Sequence, residues 1–170
     1  MKPAVVRFYF DADILGVGKV IGRLREDCTF PGDPGAVIHR RLRPACVIAG
    51  ANTPDEEWIG SVSAQGLIII TRDRAIQRRP AELDAVKHHN ARMVTLASAD
   101  AKDVWRQLEV VMTHWRGIEN LASEPGPFVY QASRMSMATG FCVGLSRIGL
   151  SSVSHLTRPS EDVWKGHLDE

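Results

Sequence analysis

The chain has 170 residues, the length of one domain with room for a tail; 44% are hydrophobic and 24% charged, so it can bury a core and is no disordered segment. No apolar run approaches the roughly 18 residues that a membrane-spanning helix needs. Lys plus Arg total 21 and Asp plus Glu 20, so the net charge of +1 announces neither a nucleic-acid nor a membrane partner; any such partner must be met by clustered charges.

Lys2 precedes an apolar, strand-like stretch with no small-residue cleavage site, so no signal peptide is expected. Ala4 to Phe10 reads as a buried first strand that ends in Asp11-Ala12-Asp13. Val17, Val20, Ile21 and Leu24 then repeat at helical spacing, which predicts a helix from Leu15 to Asp27. Pro31 to Gly35 marks a loop. Ala36 to His39 reads as a short strand, and Ala45 to Ala49 as a further strand or a loop. Thr53-Pro54-Asp55-Glu56 has the pattern of a helix start, with Thr53 as cap, Pro54 at the first position and Glu56 closing a capping box. Trp58, Ile59 and Val62 supply the inner face of that helix, and Gly66 suits its stop.

Leu67 to Ile70 is an apolar run typical of a central parallel strand, and Thr71-Arg72-Asp73-Arg74 follows it. A short helix from Pro80 to His89, a strand from Arg92 to Leu96 and a long helix from Ala101 to Leu121 come next. The long helix places Val104, Trp105, Leu108, Val111, Met112 and Trp115 on its inner stripe. Phe128 to Gln131 reads as the last strand. Alternating strands and helices predict an α/β layered fold with a parallel sheet. Residues 1–132 are read as the domain and residues 133–170 as a C-terminal extension, loosely held from Ser154 onward.

The acids share one topological position. Asp11 and Asp13 follow the first strand, Asp73 follows the central strand, and Asp55 and Glu56 open a helix. Ligands of an open parallel sheet bind at the carboxyl ends of its strands, where Asp11 and Asp73 would meet if their strands are neighbours. Carboxylates that close repel unless a cation joins them, and a hard ion such as Mg²⁺ or Mn²⁺ suits an all-oxygen site. Such a site can activate water for an in-line displacement at phosphorus. Each acid also has a bland reading as turn former, helix cap or dipole partner; it is their joint placement that points to metal.

Basic residues fall into three groups: His39-Arg40-Arg41-Leu42-Arg43; Arg72, Arg74, Arg78 and Arg79; and Lys87, His88, His89 and Arg92. A phosphate backbone approaching carboxylates needs such groups nearby, and the second group adjoins Asp73; Arg72, Arg74, Arg78, Arg40 and Arg41 are the candidate contacts to such a backbone. His88-His89 has no third ligand at metal spacing and reads as a surface pair. Trp58, Trp105 and Trp115 read as core, and Trp164 as an anchor for the tail or a partner contact. Cys28, Cys46 and Cys142 form no CxxC pair and no complete disulfide set, which suits a reducing, cytoplasmic compartment.

These pieces together resemble a PIN-like domain, specifically the VapC-type toxin nucleases and their bacterial PIN-like relatives. The resemblance runs from Val5 to Tyr130 and rests on Phe8-Tyr9-Phe10-Asp11-Ala12-Asp13-Ile14-Leu15, Thr53-Pro54-Asp55-Glu56-Glu57-Trp58 and Ile68-Ile69-Ile70-Thr71-Arg72-Asp73-Arg74. It implies a three-layer α/β/α fold with Asp11, Asp55 and Asp73 as the catalytic acids and ligands of Mg²⁺ or Mn²⁺, Asp13 as a further ligand, and Glu56 as the competing middle acid. Many relatives carry another acid two residues after the third; here that position is Ala75, with Glu82 or Asp84 as substitutes, or a single metal. The implied activity is a metal-dependent endoribonuclease, the implied partners RNA and a cognate antitoxin, and the implied assembly often a dimer. Asp11-x-Asp13 also suits a haloacid-dehalogenase-like phosphatase with Asp11 as nucleophile, and Ala75 suits a PIN-like binding module without catalysis.

Overall fold

The computed structural model describes residues 1–73, 79–97 and 99–142. Its main sheet has six strands in the order β3, β2, β6, β7, β8, β9. They are β2 (Phe8–Phe10), β3 (Cys28–Thr29), β6 (Ile68–Thr71), β7 (Arg92–Leu96), β8 (Phe128–Ala132) and β9 (Met137–Cys142). The first five in that order run parallel and β9 closes the edge antiparallel to β8. β2 and β6 are buried along their whole length. Alternate residues serve opposite faces, so Phe8, Phe10, Ile68 and Ile70 pack under one helical layer while Tyr9 and Ile69 pack under the other. The first layer is α1 (Leu15–Leu24) and α4 (Val104–Asn120); the second is α2 (Asp55–Ala64) and α3 (Pro80–His88). The result is the expected α/β/α sandwich. Among the described residues no helix is long and apolar enough to cross a membrane.

A second sheet joins β1 (Lys2–Pro3), β5 (Arg41–Arg43) and β4 (Ala36–Ile38). It divides the expected first strand. The Ala4 amide donates to Leu42 O, whereas the Arg7 and Phe8 amides both donate to Asp27 O, so Ala4–Arg7 crosses from one sheet to the other instead of pairing throughout. Residues 45–49 form a loop. α1 stops at Leu24, short of the expected Asp27, because Arg25 turns extended and the Asp27 carboxylate gathers the guanidinium groups of Arg7 and Arg25.

Three further expectations are corrected. Thr53 does not cap α2; its hydroxyl donates to Gly50 O, Pro54 holds the cap position, and no side chain bonds the free amides. Three acids in the first turn, Asp55, Glu56 and Glu57, offset those amides electrostatically instead. Trp105, at 76% exposure, is not core, and Val104 and Met112 are also exposed; the buried face of α4 is Gln107, Val110, Val111, Trp115 and Ile118. The residues from 133 on showed no period in the sequence, yet Met137–Cys142 forms a strand. Gly66 does end α2 with φ +68°, and Trp58 and Trp115 are buried as expected.

Candidate metal centre

β2 and β6 are hydrogen-bonded neighbours with Phe10 opposite Ile70, and the Asp11 amide donates to Ile70 O. Asp11 and the Thr71-Arg72-Asp73 segment therefore leave the sheet side by side at its carboxyl end. Asp11 is buried: Oδ1 accepts from the Ala12 amide, and Oδ2 accepts from the Thr71 hydroxyl at 2.9 Å. Asp13, on the 3₁₀ turn Ala12–Ile14, has Oδ1 3.3 Å from the same hydroxyl and accepts the Arg72 amide on Oδ2 at 2.9 Å. Thr71 Oγ1 in turn accepts the Asp73 amide at 3.0 Å. A hydroxyl has one proton to give, so Thr71 serves one of the two carboxylates at a time while holding the backbone of Asp73.

The opposite helical layer delivers two more acids. Trp58, one turn after Asp55, donates its indole N–H to Asp55 Oδ1 at 2.9 Å. Glu82 reaches in from α3 and is buried; its Oε1 accepts from Arg79 at 2.6 Å, while its Oε2 is buried with no hydrogen-bond partner among the described residues. Carboxylate oxygens of Asp55, Asp73 and Glu82 lie within 4.8 Å of one another. A cleft of about 160 Å³ is lined by Asp11, Asp13, Asp55 and Asp73, with Tyr9 and Trp58 beside them and Pro31, Ile48 and Ala51 along another wall.

Burial, then the charge of Asp13, pushes the Asp11 carboxyl up to about 7, against the opposing bonds from Ala12 and Thr71. Asp13 is raised as well, chiefly by burial, with the Arg72 amide and guanidinium opposing. Acids that resist ionisation here, and a buried Glu82 oxygen left without a donor, are what a divalent cation would relieve. The donor set is entirely oxygen, so it fits Mg²⁺ or Mn²⁺ and not a thiolate- or imidazole-seeking metal.

Of the residues singled out from the sequence, Asp11, Asp13, Asp55 and Asp73 meet at one cleft. Glu56 is exposed on α2 and is not among the residues lining it. Arg72 serves the site through its amide, and its guanidinium lies 3.4 Å from Ala101 O. Arg40 and Arg41 sit at the β4–β5 turn, at the other end of the main sheet, where Arg41 and His39 approach Glu26 beside the start of β3. Arg74, Ala75 and Arg78 lie outside the described residues. Glu82 rather than Asp84 joins the acids. The roles of Thr71 and Trp58 were not read from the sequence; the signal available was Thr two residues before Asp73 and Trp three residues after Asp55, on the same side of a helix.

Because Thr71 orients both carboxylates without being a ligand, Thr71→Val is expected to weaken Mn²⁺ binding about 10-fold with the fold retained, as loss of a supporting hydrogen bond does in metal sites. Calorimetric titration of the two proteins with Mn²⁺ checks this; equal affinities would remove Thr71 from the site's design.

Compared with known families, residues 7–98 match the model of a family described as PIN like domain, a stretch that covers more than half of the chain and contains all five acids. No curated protein and no solved structure matches the chain.

Proposed function

This chain belongs to the PIN-like domain family, whose members are commonly nucleases, and from that premise we propose that it is a Mg²⁺- or Mn²⁺-dependent endoribonuclease that hydrolyses RNA phosphodiester bonds. The observation that carries the reading is the convergence of Asp11, Asp13, Asp55 and Asp73 on one cleft, with a Glu82 carboxylate oxygen within 4.8 Å of those of Asp55 and Asp73.

Asp55, Asp73 and Glu82 would hold the ion, and Asp11 and Asp13 line the same cleft as Asp55 and Asp73. When bound, a divalent ion supplies positive charge to the phosphate oxygens and activation of water for in-line displacement. The chain's own residues do the rest. Thr71 and the Arg72 amide fix Asp11 and Asp13. Trp58 turns Asp55 toward the acids, as a second-layer donor does for a metal-ligating carboxylate. Pro31, Ile48 and Ala51 add apolar surface to the lining of the cleft. Arg72, Arg74 and Arg78, which flank Asp73 in sequence, are assigned to the substrate backbone.

In the cell the reading is of a cytoplasmic toxin resembling the VapC type, blocked by a cognate antitoxin. A small open reading frame for a DNA-binding antitoxin beside the gene would support that role.

The test is cleavage of single-stranded RNA by the purified chain with Mg²⁺, with EDTA, and after Asp73→Asn or Asp11→Asn. Loss of cleavage in all three controls is the expected result; undiminished cleavage by either variant ends the assignment.

A further inference from the structure

Apart from Met135, between β8 and β9, the large hydrophobics exposed among the described residues fall into two groups. One belongs to the three-stranded sheet and the segments flanking it, through residues such as Val37 and Leu42; the other follows the seam between α1 and α4. The α2–α3 layer exposes none. The two helices of the seam run parallel. A Cβ on Gly16 would stand 2.7 Å from Val104, and the Arg25 guanidinium lies 4.7 Å from the Trp115 ring and 2.8 Å from Glu119. Gly16, Val20 and Leu24, one turn apart on α1, therefore run alongside Val104, Leu108 and Met112 on α4. Leu24 is 65% exposed and Met112 60%, and Trp105 stands beside them. Lone exposed hydrophobics are ordinary, but a continuous stripe of them marks a docking surface.

Where the chain goes next names the occupant. β9 is the outer strand of the sheet, next to β8, against which α4 packs. Its last residue, Cys142, is paired with Phe128, which lies at the same end of the sheet as the end of α4. The sequence continues through residues 143–170, with Leu145, Ile148, Leu150, Val153, Leu156 and Trp164. α4 is about 25 Å long, a span that ~8 extended residues cover, so this segment has ample reach. Charge leans the same way: Lys19, Arg23 and Arg116 border the seam, against Glu109, while the segment carries Glu161, Asp162, Asp169 and Glu170 against Arg147, Arg158 and Lys165. The three-stranded sheet lies at the far edge, beyond β3, and is the more distant target.

We propose that residues 143–170 fold back onto the α1–α4 seam of their own chain as an intramolecular cover. The inference is independent of the nuclease reading. Hydroxyl-radical footprinting of the full chain tests it, with Met135, 87% exposed, as the internal reference for an open methionine. Met112 is expected to oxidise about tenfold more slowly than Met135, the ratio for a cover that is open a tenth of the time. Replacing Leu145, Ile148, Leu150, Val153, Leu156 and Trp164 together by Ser, or the exposed Leu24 by Glu, is expected to bring Met112 up to the Met135 rate. Neither change touches the described core. Rapid oxidation of Met112 in the unaltered chain overturns the proposal, as does protection that survives the Ser changes. Protection that fades on dilution would assign the seam to a second copy and overturn it equally.

Discussion

Asp11→Asn is expected to stabilise the ion-free protein, by up to about 4 kcal/mol above neutral pH. The carboxyl is held near 7 in the folded state, first by burial and then by Asp13, against an ordinary value of 3.8. Between those values the folded protein keeps a proton that the unfolded chain has released. The unfolded state thus binds fewer protons, so stability falls as pH rises through this window, and above about 7 the loss is complete. Asn carries no charge to bury and keeps an acceptor for the Ala12 amide or the Thr71 hydroxyl. Thermal melts from acid to slightly alkaline pH in EDTA check the prediction. The melting temperatures should diverge as pH rises and differ by on the order of 10 °C at the top. With saturating Mn²⁺ the gap is expected to close or reverse, because an ion removes the penalty on Asp11 and binds the unsubstituted site more tightly. A gap that is constant across pH would show that the Asp11 carboxyl is not the strained group.

Arg43→Ala is expected to destabilise the fold by about 3–5 kcal/mol, the usual result of leaving one half of a buried ion pair alone. Arg43 and Asp33 are both nearly inaccessible, with Arg43 Nε 2.9 Å from Asp33 Oδ2, though not aligned for a hydrogen bond. Its Nη2 donates to the other oxygen of Asp33, and its Nη1 donates to Gly22 O and Arg25 O where α1 ends. Asp33 also receives the Thr29 hydroxyl and the Gly35 amide. One side chain thereby joins the small sheet, the end of α1 and the loop that carries Pro31 and Ile48 to the cleft. Urea unfolding of Arg43→Ala measures the loss. Arg43→Met combined with Asp33→Asn should recover much of it, since neither buried charge then lacks its counterpart. A loss below ~1 kcal/mol for Arg43→Ala would show the pair to be solvated.

The position of Asp11 and Asp73 was legible because strands buried on both faces are written as unbroken apolar runs, and the polar residue that ends each run marks the carboxyl edge. Their adjacency needed one further premise, that β2 and β6 are neighbours, and the structure supplies it. Glu82 could only be weighed against Asp84, because its approach depends on how α3 docks beside α2, which no local pattern records. Thr71 carries no signal beyond following the central strand, and its hydroxyl gains meaning only beside Asp11, Asp13 and the Asp73 amide. Helical period located the stripe of α4 but not the width of its buried arc, so Trp105 was placed inside. Neighbourhood along the chain also misled for Arg40 and Arg41, because a basic run says nothing about which end of a sheet it occupies. β9 was hidden because Met137-Ala138-Thr139-Gly140-Phe141-Cys142 carries no alternation strong enough to announce an edge strand.

Asp13 accepts the main-chain N–H of residue 72, while that residue's guanidinium acts on it only through its charge. That hydrogen bond is indifferent to the identity of the side chain, proline excepted, since proline alone lacks the donor. Exchange of residue 72 thus leaves the tether on the Asp13 carboxylate in place and forfeits only the arginine's charge and its link to Ala101 O.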